Sequence, residues 1–92
     1  MPYFSIIMPV YNGEKYIKKA VVSILKQSFY DFELIMINDG STDDSAQICN
    51  TLARCDKRII FISQKNQGAL LARKAGIRIA TGQYVLFLDC DD

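Results

Sequence analysis

The 92-residue sequence contains no histidine. Its absence removes the commonest general base and the usual nitrogen ligand for zinc, so chemistry has to run on carboxylates, lysine, arginine, tyrosine or a hard metal ion. Cysteine is scarce as well. Cys49, Cys55 and Cys90 are odd in number and without C-x-x-C spacing, which supports neither a disulfide framework nor a zinc site. They are expected as small buried apolar side chains, with Cys90, set between two acids, as the exception. Charge of one sign is not in excess: the formal net charge is +1 and the eleven basic residues are scattered, which disfavours nucleic acid as a partner. Long hydrophobic runs are missing too. The apolar stretch after Met1 and Pro2 is about six residues, far short of a membrane span and without the basic flank or cleavage site of an export signal, so cytoplasmic residence is expected. Linkers, repeats and low-complexity segments are absent, and 92 residues that are 50% hydrophobic suit one domain with one core. No G-x-G-x-x-G follows the first apolar run and no G-x-x-x-x-G-K-[ST] occurs, so the dinucleotide fingerprint and the P-loop are both excluded.

What is present is an alternation of apolar runs and helical periods. Residues 3–10 (YFSIIMPV) and 32–38 (FELIMIN) read as buried strands, the first on both faces, and 58–63 (RIIFIS) and 84–88 (YVLFL) as the third and fourth strands. Between them, Ile17, Ala20, Val21, Ile24 and Leu25 recur at helical spacing, and Ala46, Cys49, Leu52 and Ala53 form a second stripe. Residues 69–80 form a third helix with Gly82 as its expected stop. Ser41 and Asp44 have the spacing of a capping box for the second helix. Strand and helix in strict alternation demand a parallel sheet with crossover helices, a doubly wound α/β architecture. Ligands of such sheets bind outside the carboxyl ends of the strands. Three strands end there in polar clusters: Tyr11 and Asn12 after the first, Asn38 and Asp39 after the second, Asp89, Asp91 and Asp92 after the fourth.

Asp89 and Asp91 are two apart, so in extended backbone they project to the same side and can offer two oxygens to one hard cation. Mg²⁺ or Mn²⁺ is favoured over zinc, and a substrate diphosphate is the natural source of the remaining ligands. A solvated acidic tail is the plainer alternative. In NDGSTD (residues 38–43) the turn and the helix cap account for most of the segment, leaving Asp39 as an acceptor for a ligand N–H such as a ring imide. The Tyr11 ring can stack on a base, or simply cover the sheet edge. Gly68 opens a helix whose free N–H groups can face an anion, and Arg73 can reach a phosphate, while Lys74 and Arg78 suit a solvated helix face.

Taken in order, SIIMPVYNGEKYIKKAVVSILKQSF, DFELIMINDGSTDDS and NQGALLARKAGIRIATGQYVLFLDCDD resemble the amino-terminal, nucleotide-sugar-binding half of family 2 glycosyltransferases with the GT-A fold. The resemblance spans essentially the whole chain and rests on several motifs in the correct order. It implies the strand order 3-2-1-4, and it makes residues 1–92 the donor-binding portion, ending just after the Asp-X-Asp. It further implies that Tyr11 flanks the base, Asp39 hydrogen-bonds it, Arg73 contacts the nucleotide, Asp89 lies near ribose and metal, and Asp91 is the principal ligand of Mn²⁺ or Mg²⁺. The family often carries two acids where this chain has Asn38 and Asp39, which leaves the base-binding role on Asp39.

The implied reaction is inverting transfer of a sugar from a nucleoside-diphosphate donor, by mild preference a UDP-sugar, to a hydroxyl of a glycan, polysaccharide, lipid or protein. The catalytic base is expected beyond Asp92, so the chain alone is expected to be inactive, and the full-length protein to be cytoplasmic or peripheral to a membrane. In the family the fourth strand is interior. Its edge and apolar face are therefore expected to be exposed here, with self-association through that edge or near Val85 and Phe87. A non-catalytic interaction module and a metal-dependent nucleotidyl or phosphoryl transferase are the alternatives. Retention of Asp39, Asp89 and Asp91 argues against the first, and the lack of a phosphate loop after the first strand argues against the second.

Overall fold

The computed structural model describes residues 2–90, which form strands β1 (Phe4–Val10), β2 (Phe32–Asp39), β3 (Ile59–Gln64) and β4 (Tyr84–Phe87) and helices α1 (Ile17–Leu25), α2 (Ser45–Cys55) and α3 (Ala69–Ile79). All four strands are parallel and lie in the order β3-β2-β1-β4. The chain therefore steps outward twice, from β1 to β2 to β3, then returns past its start to lay β4 on the other side of β1. Crossovers of one hand place helices on opposite faces when the direction of travel reverses. The packing follows that rule. Ile6, Met8, Val10, Leu34 and Met36 point to the face covered by α1 and α2, where Ile17, Val21, Ile24 and Cys49 meet them. Ile7, Ile35 and Ile37 point to the other face and pack on Ala72 of α3. A strand with apolar residues at every position is what two covered faces require, and β2 is buried along all eight of its residues.

The four strands lie where the apolar runs place them. Tyr84, Val85, Leu86 and Phe87 of β4 are all exposed, in line with the exposed edge and apolar face expected of the fourth strand. Two local expectations require correction. Helix α3 stops at Ile79, where the Ala80 N–H bonds back to the Gly76 and Ile77 carbonyls, so Gly82 is not its stop. Gly82 is instead a point of close approach: a Cβ there would lie 2.6 Å from the Ser5 N and Oγ atoms. Cys55, not Cys90, is the exception to burial: it is exposed at the end of α2, whereas Cys49 and Cys90 are both buried. Among the described residues no helix is long and apolar enough to cross a membrane.

The amino-terminal edge of the sheet is held by an acid that sequence reading did not single out. Glu33 is buried in β2 directly beside Ser5 of β1, and its Oε2 accepts from the Ser5 hydroxyl and from the N–H and hydroxyl of Thr81, the last two at 2.7 and 3.1 Å. Ser5 Oγ in turn accepts the Gly82 N–H at 2.7 Å. Burial opposes ionisation of Glu33, but the Ser5, Thr81 and Gly82 donors outweigh it and hold the carboxyl below the ordinary glutamate value of 4.5.

Two outcomes are expected. Glu33→Ala should lower the unfolding free energy by roughly 2–3 kcal/mol, the scale of a buried charge-assisted network. A lowered folded-state pKa contributes stability that is complete above the unfolded value and is lost as the pH falls through the folded one. Denaturant titrations across the acid range should show that loss in the parent chain and a weaker one in the variant. Secondly, burial first, then the neighbouring Cys90 and Asp43, pushes the Cys49 thiol up to about 12. A thiol reagent under native conditions should therefore modify Cys55 and spare Cys49, read by peptide mass analysis; rapid native labelling of Cys49 would contradict this packing.

Candidate nucleotide and cation site

The carboxyl edge of the sheet is built from two loops that hydrogen-bond to each other. After β1 the chain turns at Asn12, which adopts a left-handed φ of 49°, a conformation that asparagine tolerates better than most residues. Its side chain holds the neighbouring loop: Asn12 Oδ1 accepts the Thr42 N–H at 2.8 Å, while the Asn12 N–H donates to Ser41 Oγ at 3.0 Å. Gly13 N–H donates to Ser45 Oγ at 2.9 Å. Asp43 completes the junction, its Oδ1 accepting the Ser45 N–H at 2.9 Å and its Oδ2 the Glu14 N–H at 3.3 Å.

The capping-box expectation is thereby corrected. Helix α2 begins at Ser45, Asp44 makes no side-chain cap bond, and Ser41 serves the β1 loop instead of a helix end. Asn38 is also engaged internally, donating from Nδ2 to Ser63 Oγ at 3.0 Å and accepting the Ser41 N–H on Oδ1 at 3.2 Å.

Asp39, 3% exposed at the end of β2, is surrounded by donors. Its Oδ1 accepts Gln64 Nε2 at 3.0 Å and the Gln67 N–H at 2.9 Å, and its Oδ2 accepts the Gly68 N–H at 3.0 Å. Gly68 itself carries no side-chain cap, so the carboxylate of β2 serves as the anion at the start of α3. The expectation that the N–H of Gly68 faces an external anion is corrected to that extent: the anion it meets belongs to the chain. Gly40, next along, has φ +70°, and a Cβ there would lie 2.6 Å from the Asn66 backbone nitrogen, so the 64–68 loop approaches closer than any side chain permits.

A cavity of about 210 Å³ opens at this edge, lined by Tyr11, Asn12, Gly13 and Tyr16 from the first loop, Asp39 from β2, Ala69 from α3, and Asp89 and Cys90 beyond β4. A larger groove of about 520 Å³ continues from it past Tyr16, Asp89 and Cys90 along α1, where Lys19 and Ser23 face Met8 and Leu88. Of the residues expected from sequence, Tyr11, Asp39 and Asp89 share the small cavity. Arg73 is absent from its lining and reaches the site through Asp89, with Nη2 at 3.3 Å from Oδ1. Asp91 lies outside the described residues.

A profile described as "Glycosyl transferase family 2" matches residues 5–92. The chain belongs to that family. Over 93 residues it is 50% identical to an uncharacterized glycosyltransferase of Haemophilus influenzae, covering all of this chain and 37% of that protein. Among solved structures, S. aureus TarS superposes with a TM-score of 0.89 at 36% identity, over 98% of this chain and 28% of TarS 1-349. The same protein in complex with UDP gives 0.88 at 34% identity, over 97% of this chain and 27% of that one. The mannosyltransferase PcManGT of Pyrobaculum calidifontis, in complex with GDP-Man and Mn²⁺, gives 0.90 at 23% identity over 98% and 28% of the two chains, which shows a shared fold. The architecture matches the GT-A fold of these neighbours, and the chain spans about a third of the length of its Haemophilus relative.

Among the described residues no group of three His, Cys, Asp or Glu side chains converges on one point. Asp89 nevertheless presents a half-exposed carboxylate at the cavity mouth, a hard oxygen suited to Mg²⁺ or Mn²⁺ and not to zinc. One such donor fits a cation whose other ligands come largely from a bound diphosphate. Gln64, Gln67 and Tyr16 were not anticipated from sequence. The Asn-Gly pair at 12–13 has the composition of a turn, whereas nothing local marks Gln64 or Tyr16.

Gly40→Ala should destabilise the chain by at least about 1–2 kcal/mol, the cost of a left-handed non-glycine residue alone, before the Asn66 clash is added. Denaturant unfolding checks this; an unchanged midpoint would mean that the 64–68 loop is not held as described.

Proposed function

We propose that the chain is the donor-binding portion of a metal-dependent, inverting glycosyltransferase whose donor is a nucleoside-diphosphate sugar, with a UDP-sugar preferred. The observation that carries this reading is the meeting of Tyr11, Asp39 and Asp89 in one cavity at the carboxyl ends of β1, β2 and β4. The UDP complex of its relative TarS supports it. In this reading the Tyr11 ring, 54% exposed, stacks on the base. Asp39 reads the base edge. A carboxylate offers about four lone-pair positions, and three donors inside the chain already occupy Oδ1 twice and Oδ2 once. One position on Oδ2 is left, which suits the single imide N–H of uracil better than the paired N–H donors of guanine. Arg73 turns to the nucleotide, and Asp89, with Asp91, holds Mn²⁺ or Mg²⁺. When bound, that cation would offset the negative charge that gathers on the departing diphosphate.

The reaction needs an acceptor hydroxyl of a glycan, lipid or protein and a carboxylate base to deprotonate it. Both are assigned to polypeptide outside residues 1–92, so this chain is expected to bind donor without transferring the sugar. Exposed β4, with Val85 at 39% and Phe87 at 47%, is assigned as a surface for self-association.

Calorimetric titration with UDP, with and without Mn²⁺, tests the donor site. Metal-dependent UDP binding is expected, weakened at least tenfold by Asp39→Ala and losing its metal dependence in Asp91→Asn, with GDP bound more weakly than UDP. A folded chain that binds no nucleotide under either condition would refute the reading. Sedimentation across a wide concentration range should show self-association that Val85→Asp suppresses; a strictly monomeric parent chain would remove that part.

A further inference from the structure

Two side-chain ion pairs occur among the described residues, and they are built differently. Arg58 grips Asp56 with two prongs, Nε to Oδ1 at 3.1 Å and Nη2 to Oδ2 at 2.9 Å, and its guanidinium lies 4.5 Å from the centre of the Phe32 ring. That geometry is suited to holding. Arg73 meets Asp89 through one contact of 3.3 Å, with 36% of the arginine and 51% of the aspartate side chain open to water. An exposed, single-contact pair of this kind is weak and easily exchanged.

The backbones that carry Arg73 and Asp89 are nevertheless fixed, and by the same residue. Ala72, which precedes Arg73, is fully buried in the cluster containing Ile7. Leu88, which precedes Asp89, donates its N–H to the Ile7 carbonyl at 3.0 Å. Anchored main chains with a loose side-chain contact between them make a junction that can change partners without moving the fold. Asp89 also lines the cavity beside Asp39 and Tyr11, whereas Arg73 stands outside it. The arginine therefore sits where it neutralises the aspartate while leaving the base-binding side of the cavity open.

We propose that Arg73 is a resident counter-cation of Asp89 that exchanges partners on ligand binding. In the free chain the guanidinium neutralises Asp89. When Asp89 engages a divalent cation, the guanidinium would face like charge and is released to an oxygen of the nucleotide diphosphate. The inference rests on the donor-site reading above and adds the sign of the coupling: Arg73 opposes the cation while the nucleotide is absent and supports the nucleotide once the cation is present. Cation and nucleotide then strengthen each other's binding through one side chain.

The test is a set of titrations on the parent chain, Arg73→Met, Asp89→Asn and the double variant, with melting curves to confirm folding. Mn²⁺ alone, followed by its electron paramagnetic resonance signal, should bind Arg73→Met about two- to fivefold more tightly, as removal of a weak exposed competitor requires. UDP at saturating Mn²⁺ should bind the same variant about tenfold or more weakly, from loss of a charged hydrogen bond. Without metal, Asp89→Asn should bind UDP more tightly than the parent chain, and the double variant should lose that gain. Arg73→Lys, which keeps the charge, should leave Mn²⁺ affinity near the parent value. The exchange is overturned if Arg73→Met weakens Mn²⁺ binding or leaves it unchanged, or if the Asp89→Asn gain persists without Arg73. A parent chain that binds UDP with metal while the variants behave in either of those ways removes only the exchange, whereas a parent chain that binds no UDP removes the donor-site reading and the exchange together.

Discussion

Strand β2 carries a buried acid near its start and another at its end, and helix α3 is tied to both. Before the helix, the N–H groups of Gln67 and Gly68 reach Asp39; after it, the N–H and hydroxyl of Thr81 reach Glu33. An ionised carboxylate in the interior costs several kcal/mol, roughly, unless its lone pairs are met by donors. The chain flanking α3 is thus constrained to deliver those donors at two points along one strand. The constraint matters because α3 has little apolar anchorage: Ala72 and Gly76 are its buried residues, while Leu70, Leu71, Ile77 and Ile79 remain exposed. Where the opposite face of the sheet relies on a broad hydrophobic cluster, this face relies on a narrow one reinforced by two polar clamps.

The site inherits its geometry from that clamp. Fixing Gly68 to Asp39 sets where α3 begins, and the helix then carries Arg73 to the end of β4. The same bonds place Asp39 in the lining of the cavity, so one carboxylate both closes a helix end and forms part of the cavity wall. On the other side, Asn12, Ser41, Asp43 and Ser45 lock the β1 and β2 loops together, which holds Tyr11 at the rim without its side chain being buried. Most polar residues at this edge are thus occupied in positioning. Tyr11 and Asp89, by contrast, keep exposed side chains at the cavity.

Much of the architecture was legible in the residues. Continuous apolar runs marked the strands and the 3.6-residue period the helices, each within a residue or two, because apolar spacing reflects which faces the backbone must bury. The strand order came from family resemblance, and the register of β1 between β2 and β4 agrees with it. What misled was the reading of single residues near element ends. Ser41 has the composition of a cap and Gly82 that of a helix stop, but each answers to a partner distant in sequence, Asn12 for the first and Ser5 for the second. Glu33 drew no notice because an acid inside an apolar strand has no local signature. Its donors come from residues 28 and 48 positions away.

The sequence by itself determined the alternating α/β class, the two-sided burial of the inner strands, the absence of histidine and of a P-loop motif, and the edge of the sheet at which acids gather. These follow from short-range regularities: residue type, spacing and the turn chemistry between runs. Only the tertiary structure decided which polar groups are consumed inside the fold and which face the cavity. It assigned Asn38 and Asp43 to structure, gave Asp39 its three internal donors, and set Arg73 against Asp89. The physical reason is that a buried polar group is satisfied by whatever the fold brings within about 3 Å, and in a parallel sheet those partners sit on neighbouring strands and loops far apart along the chain.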